Sequence, residues 1–193
     1  MVSLSKGQGI SLSKAAPGLS VVAMGLGWDV AKRGGLLGSM FGGGGGSIDL
    51  DASCLMFDAA GGLIDTIWFR QLQSKDGSVL HSGDNRTGDG DGDDEVINVR
   101  LGSVPAAVQT LMFTVNSFTG QDFSKIANAT CRAVDTATGK ELARVNLSET
   151  GKHTALVMAK LVRKDGGWDF VAVGTPGYGA TFKDLMPIIT AAL

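Results

Sequence analysis

The sequence is poor in the residues that most often carry redox, zinc or acid-base chemistry, with two cysteines and two histidines in 193 residues. Cys54 and Cys131 each lie in an apolar stretch, which favours buried thiols over a disulfide or a metal pair. His81 and His153 leave few options for a general base or a zinc site. His81 lies just before an acidic segment and could support a metal ligand there, but a solvated or structural histidine is favoured. A nucleophile elbow is absent, and the glycine runs lack the lysine of a phosphate-binding loop. We therefore predict no catalytic centre.

Long apolar runs and basic patches are also missing. The apolar run at residues 185–193 is too short to cross a bilayer. Residues 1–14 are punctuated by serine and lysine, unlike the continuous apolar core of a signal peptide. The formal net charge is −2 without a basic stripe, which argues against nucleic acid as a partner. The prediction is a protein of the reducing cytoplasm.

Glycine, in contrast, is abundant: its 29 residues are about twice the usual share and indicate many turns. Short alternating segments between glycine-rich turns predict an all-β fold, a β-sandwich of many short, mainly antiparallel strands in one domain. The SLSK repeat at residues 3–6 and 11–14 predicts two strands joined through residues 7–9. Short helices are predicted at residues 121–128 and, at the C-terminus, at 181–192, where Pro187 interrupts the second. The other predicted strands are residues 21–28, 48–56, 64–69, 96–101, 110–118, 129–134, 142–147, 155–162 and 168–174.

A glycine-rich stretch at residues 34–46 contains eight glycines in thirteen residues, together with Leu36, Leu37, Met40 and Phe41. One interpretation is a hairpin loop whose apolar residues fold back on the domain. The other is an exposed apolar tip at residues 36–41 that touches a partner or a membrane surface. The first is favoured, since scattered exposed apolar residues are normal in soluble proteins.

The most informative segment is an acidic one, residues 83–95 (GDNRTGDGDGDDE), in which six acids face one arginine. Two carboxylates about 6 Å apart repel each other by about 3 kcal/mol at an effective dielectric of about 20, so a compensating cation is expected. Calcium accepts carboxylate, amide and backbone oxygens in flexible geometry. The segment is not an EF-hand, because neither Asp84 nor Asp89 as the first ligand puts glycine at the sixth position.

Further carboxylates elsewhere in the chain could join this segment. Asp49 and Asp51 lie on one face of the strand predicted at residues 48–56, and Asp29 ends another predicted strand. A sandwich can gather loops and strand ends at one pole, which would give two ion sites. Metal binding is therefore favoured over a merely solvated acidic loop, and calcium over magnesium, because magnesium seldom uses an all-protein cage.

Several motifs together resemble one known family. They are MVSLSK at residues 1–6, GLGWD at 25–29, DLDA at 49–52, HSGDN at 81–85 and GDGDGDDE at 88–95. These resemble the tellurium-resistance TerD family. IDTIWFR at 64–70, FTVNSF at 113–118 and the glycine-rich residues 34–46 are similar to its TerZ branch.

The resemblance implies a bacterial, cytoplasmic TerD-type calcium-binding domain over residues 1–193, with residues 34–46 as a loop insertion. It implies two Ca²⁺ ions, a role in tellurite resistance and stress tolerance, and association with other tellurium-resistance proteins and a TerC-type membrane protein at the inner membrane face. By motif, the calcium ligands would be Asp29, Asp49, Asp51, Asp84, Asn85, Asp91, Asp93, Asp94 and Glu95.

Three functions are compatible with these observations. The first is a calcium-dependent interaction module, in which the bound ion orders the acidic pole and stabilises a partner surface. The second is calcium-dependent membrane docking through residues 36–41. The third is a metal-assisted hydrolase or a tellurite-transforming enzyme, which the scarcity of histidine and cysteine disfavours.

Overall fold

The computed structural model of the protein describes residues 1–30, 49–83, 93–147 and 151–193. Within them the chain forms two six-stranded sheets packed as a sandwich. The strands are β1 (Val2–Leu4), β2 (Gly9–Ser11), β3 (Val21–Val30), β4 (Leu50–Phe57), β5 (Leu63–Ile67), β6 (Val79–His81), β7 (Glu95–Arg100), β8 (Thr110–Ser117), β9 (Ile126–Asp135), β10 (Glu141–Asn146), β11 (Ala155–Lys164) and β12 (Gly167–Gly177). The predicted sandwich is confirmed.

The two sheets are built from different strands, and both are mainly antiparallel. The first has the order β1-β10-β9-β3-β7-β6 and the second β2-β12-β11-β8-β4-β5. All neighbouring pairs are antiparallel except β1 with β10. Short helices complete the described part: α1 (Leu12–Ala15), α2 (Met186–Ala191) and 3₁₀ turns at Leu101–Ser103, Phe123–Lys125 and Phe182–Leu185. No helix among the described residues is long and apolar enough to span a membrane.

Strand β4 shows how the alternating pattern becomes structure. Leu50, Ala52, Cys54 and Met56 face the core between the sheets, as the period-two pattern predicts. Leu55 and Phe57, on the opposite face, pack in a second cluster with residues of the C-terminal segment. The second sheet is thus covered on both faces in this region, and every residue of β4 is buried.

The C-terminal segment that covers this sheet begins with a reciprocal cap. Thr181 N–H donates to Asp184 Oδ2 at 3.1 Å, and the Thr181 side chain accepts from the backbone of the same turn. Pro187 sits in the first turn of α2, where its missing N–H leaves no intrahelical partner unsatisfied. The predicted terminal helix is therefore found as two short ones, a 3₁₀ turn at Phe182–Leu185 and α2, with Pro187 as the second residue of α2.

Two local predictions are wrong. The SLSK copies do not form a paired hairpin: β1 joins the first sheet, β2 joins the second, and Leu12 of the second copy begins α1 with its side chain buried. The helix predicted at residues 121–128 is only the 3₁₀ turn Phe123–Lys125, because from Ile126 the backbone pairs with Val30 of β3. In both cases pairing with a distant strand overrides the local pattern. Strand β6 was not predicted.

The two cysteines are buried, free thiols in the core, as predicted, with exposures of 0% and 1%. Burial, with a smaller contribution from Asp65, raises the pKa of Cys54 well above its ordinary range. Burial, helped by the charge of Asp93, raises the pKa of Cys131 to about 12. Since the thiolate is the reactive form, neither cysteine is suited to redox chemistry in the folded state.

We therefore expect the native protein to be inert to Ellman's reagent at pH 8, whereas both thiols react rapidly once guanidinium unfolds the chain. The measurement is the release of thionitrobenzoate with time, with and without denaturant. Rapid reaction of either thiol in the folded protein would contradict the buried positions of Cys54 and Cys131.

Candidate functional site

Glu95, the first residue of β7, connects the two sheets. Its side chain is fully buried, and its Oε2 accepts a hydrogen bond from Ala52 N–H of β4 at 2.7 Å. Strand β5 ends its pairing with β4 at Ile67, opposite Cys54, so the next backbone groups of β4 lie beyond β5. At this edge the Glu95 carboxylate accepts the Ala52 N–H, which no longer has β5 beside it. This hydrogen bond joins the acidic segment to the second sheet.

His81, the last residue of β6, completes this contact. Its Nε2 lies 3.2 Å from the Ala52 carbonyl oxygen and 3.5 Å from Glu95 Oε2, and Gly83 N–H donates to its Nδ1 at 3.0 Å. This arrangement fits a ring with its proton on Nε2. Burial disfavours the charged ring, but Glu95, the Ala52 carbonyl and the charge of Asp51 outweigh it and raise the pKa of His81. The Gly83 amide opposes that rise, since it needs an unprotonated Nδ1.

The second histidine lies elsewhere in the sandwich. His153 stacks on Phe123 with the ring centres 4.8 Å apart, and burial lowers its pKa despite the opposing charge of Asp122. Both histidines are less than a tenth exposed, with values of 6% for His81 and 8% for His153. The chain thus has no solvent-exposed imidazole to act as a general base.

Asp94 fixes the acidic segment to β3. Its N–H donates to the Leu26 carbonyl oxygen at 2.8 Å, and its Oδ2 accepts from Trp28 N–H at 2.8 Å. Pairing between β3 and β7 ends at Leu26 opposite Glu95. The Asp94 side chain therefore continues the hydrogen bonding along β3 beyond the end of β7. Its partner, Trp28, directly precedes Asp29 in the chain.

Asp93 points to yet another partner. Its Oδ1 accepts from Arg132 Nε of β9 at 2.7 Å, and Arg132 also contacts Glu141 at 3.4 Å. The hydrogen bond from Arg132 to Asp93 raises the pKa of Arg132, although partial burial opposes it. A Cβ added at Gly25 would lie 1.9 Å from Asp93 Oδ2, so glycine leaves the space that this carboxylate occupies.

Glu141 and Arg144 extend this charge network on β10. Arg144 Nη2 donates to Glu141 Oε2 at 2.7 Å, and this contact lowers the pKa of Glu141. The three successive acids 93–95 thus diverge: one binds an arginine, one a backbone N–H of β3, and one a backbone N–H of β4. They do not converge on one point.

Asp49 and Asp51 are the other predicted ligands whose side chains are described. They are buried, with exposures of 8% and 6%. Asp51 lies on β4 next to Ala52, opposite Asn116 of β8, and its charge acts on His81. The Asp49 carbonyl oxygen accepts from Phe118 N–H at 3.1 Å. Both aspartates therefore lie at the pole of the sandwich where Glu95 joins the sheets.

The remaining predicted ligands, Asp84, Asn85 and Asp91, lie outside the described residues, as does the side chain of Asp29. The glycine-rich residues 34–46 also lie outside them. Among the described residues, no three histidine, cysteine or acidic side chains converge as a metal-binding group. Sequence reasoning missed the role of Ala52, whose main chain joins Glu95 and His81, and it missed Arg132. The alternation of β9, with Cys131 buried and Arg132 on the other face, was the available signal.

Comparison with known proteins agrees with this architecture. The TerD domain matches residues 1–187 of the chain. The tellurium resistance protein TerZ of Serratia marcescens is 56% identical over 193 residues, spanning 100% of this chain and 99% of that protein. General stress protein 16U of Bacillus subtilis (strain 168) is 41% identical over 185 residues, spanning 92% of this chain and 91% of that protein.

The fold is also found in solved structures. The crystal structure of a homologue of the telluride resistance protein TerD from Streptomyces coelicolor A3(2) superposes with a TM-score of 0.68 at 21% identity. The match covers 88% of this chain and 98% of that one. The resemblance noted in the sequence is confirmed, and the chain belongs to the TerD domain family of tellurium-resistance and stress-response proteins.

Proposed function

We propose that the protein is a calcium-binding interaction module, in which the ion stabilises one pole of the sandwich and so supports a partner surface. The observation that carries the proposal is the position of Asp49 and Asp51, two buried carboxylates at the pole where Glu95 of the first sheet bonds to Ala52 of the second. Burial of several carboxylates together is costly unless a cation offsets their charge.

The donor set fits calcium. The acids at this pole offer oxygen ligands, which Ca²⁺ and not a soft metal prefers, and the buried cysteines lie in the core. Asp49 and Asp51 would hold the ion together with Asp29, Asp84, Asn85 and Asp91. Asp94 Oδ2 and Glu95 Oε2 each accept a backbone N–H, which places both carboxylates at this pole, where they would also contribute to the ion site. The bound ion would supply positive charge and fix the acidic segment against the sheets.

Asp93 has a different role in this proposal. Its bond to Arg132 holds the end of the acidic segment on the first sheet, so we propose that it positions the segment more than it binds the ion. The second ion, the cytoplasmic location and the partnership with other tellurium-resistance proteins or a TerC-type membrane protein belong to the same proposal. The buried thiols and histidines support a protein without catalytic activity. Membrane docking through residues 36–41 stays a prediction, because those residues lie outside the described ones.

Calcium is expected to raise the melting temperature. A ligand that binds only the folded state at a hundredfold excess over its Kd adds about 2.7 kcal/mol of stability, or about 5 to 10 °C for a domain of this size. The measurement is thermal unfolding with calcium, magnesium or EDTA, joined to calorimetric titration for stoichiometry. We expect two calcium ions per chain and a weaker response to magnesium.

The test variant is Asp49→Asn with Asp51→Asn, which keeps the shape of both side chains but removes two charges. We expect it to lose the calcium-dependent rise. The matched control is Asp169→Asn, because Asp169 lies at the opposite end of the second sheet, opposite Val162 and Ser11. Identical melting curves of the unchanged protein in calcium and in EDTA would refute the proposal.

A further inference from the structure

Four aromatic rings form a continuous chain on the second sheet. Trp68 packs edge-on against Phe69 at 4.7 Å and against Phe182 at 5.2 Å, and Phe69 packs against Phe118 at 5.7 Å between ring centres. Aromatic residues make up only 6% of the sequence, so a third of them meet here. They come from three distant parts of the chain: the turn after β5, the end of β8 and the C-terminal segment.

The turn after β5 carries the partly buried rings of Trp68 and Phe69 and the exposed side chain of Arg70. Trp68 N–H donates to the Gln71 carbonyl oxygen at 3.1 Å, and Gln71 N–H donates back to Trp68 at 2.8 Å. Phe69 and Arg70 are therefore held at the tip of a tight turn. Phe118 on the neighbouring segment is 45% exposed. Such rigid aromatic side chains are typical of the centres of protein interfaces.

Two cations lie over these rings. The Arg70 guanidinium carbon is 5.4 Å from the Trp68 ring centre and 5.3 Å from that of Phe69, and the Lys183 ammonium is 5.6 Å from Trp68. Among the described residues, neither cation takes part in an ion pair. Asp184, next to Lys183, accepts a hydrogen bond from Thr181 N–H instead.

We propose that this cationic aromatic patch, formed by Trp68, Phe69, Arg70, Phe118 and Lys183, binds an acidic segment of a protein partner that carries an apolar or aromatic side chain. Carboxylates of the segment would pair with Arg70 and Lys183, while its apolar side chain packs on Phe69 and Phe118. Charge complementarity selects this occupant, because both cations are held at the ring faces without a carboxylate partner in the described part.

The patch adjoins the acidic pole. Phe118 N–H donates to the carbonyl oxygen of Asp49 at 3.1 Å, so a change in the main chain at Asp49 reaches the patch directly. This inference names the surface of the proposed interaction module, and only its calcium dependence rests on the proposed function. An ion that orders Asp49 would fix Phe118 in the geometry that the partner binds.

The test measures binding of a short fluorescein-labelled peptide, in which glutamates flank a phenylalanine, to the full chain by fluorescence anisotropy. We expect Arg70→Glu with Lys183→Glu to weaken binding at least about tenfold, and Phe118→Ser to weaken it without lowering the melting temperature. The control, Lys140→Glu with Lys152→Glu, makes the same charge change at exposed lysines outside the patch. A change in tryptophan fluorescence on peptide addition is a second readout. It would report on Trp68, because Trp28 and Trp168 are only 3% and 4% exposed and lie out of reach of a peptide.

Each outcome has a definite meaning. Absence of peptide binding at about 1 mM, or equal binding to a peptide with lysines in place of glutamates, overturns the proposal. Patch-dependent binding to phosphatidylglycerol vesicles but not to the peptide assigns the patch to lipid, and patch-dependent dimerisation in sedimentation assigns it to a second copy; both overturn it. Patch-dependent peptide binding that is equal in calcium and EDTA supports the surface and removes only its link to calcium. A calcium-dependent melting shift without peptide binding supports the proposed calcium site and overturns the proposed binding surface.

Discussion

Replacement of Glu95 by alanine is expected to lower the free energy of unfolding by about 3 kcal/mol, measured without calcium. The Glu95 side chain is fully buried, and its removal leaves the Ala52 N–H of the other sheet without its acceptor. His81 Nε2 loses a neighbouring acceptor in the same step. A buried donor without an acceptor costs about 1 to 3 kcal/mol by itself, and the cavity adds to it.

The measurement is urea-induced unfolding in EDTA, so that ion binding does not contribute to the difference. Glu95→Gln is the matched control: its amide oxygen can still accept from Ala52 N–H, and we expect it to retain most of the stability. A Glu95→Ala protein that unfolds at the same urea concentration as the unchanged chain would show that this link between the sheets does not stabilise the fold.

Replacement of Leu185 by alanine is expected to cost a similar amount, about 3 kcal/mol. Leu185 is 1% exposed and belongs to the cluster that buries Leu55 and Phe57 of β4. A Cβ added at Gly177 would lie only 2.5 Å from Leu185 Cδ2, so this side chain packs directly against the end of β12. The C-terminal segment is thus part of the domain core and not an appendage.

Unfolding of Leu185→Ala can be compared with that of Leu193→Ala, which makes the same chemical change at a position that is 38% exposed. We expect the control to unfold within about 0.5 kcal/mol of the unchanged protein. Equal effects of the two changes would mean that the cover over β4 contributes little. Binding of a hydrophobic dye to Leu185→Ala would report exposure of the outer face of the second sheet.

Most of the strands were predictable because alternating segments lie between glycine-rich turns, but β6 was not predicted. The alternation of β4, from Leu50 to Met56, assigns one face to the core, and the structure confirms it. The failures occur where the partner is distant in sequence. Nothing in SLSK indicates that its two copies join different sheets. In the helix predicted at residues 121–128, pairing with β3 overrides the part from Ile126 onward and leaves only a 3₁₀ turn before it.

The acidic pole was predictable in part. Density of charge located the segment, and alternation placed Asp49 and Asp51 on one face of a strand. The separate directions of Asp93, Asp94 and Glu95 were not predictable, because each is decided by a residue on another strand: Arg132, Trp28 and Ala52. Successive acids look equivalent in sequence, whereas in the fold they differ in burial and each has a different hydrogen-bond partner.

The divergence of these three acids has a consequence for how the segment can change. Residues 93–95 are anchored on three strands, and at the other end Gly83 is bonded to the buried His81. The fold thus holds both ends of the span 84–92 with contacts that lie outside it. Because contacts within the sandwich already bring the two ends together, lengthening the span would lower the free energy of unfolding only slightly. The amino-acid sequence of this span is therefore open to variation, by selection or by design, without alteration of the scaffold.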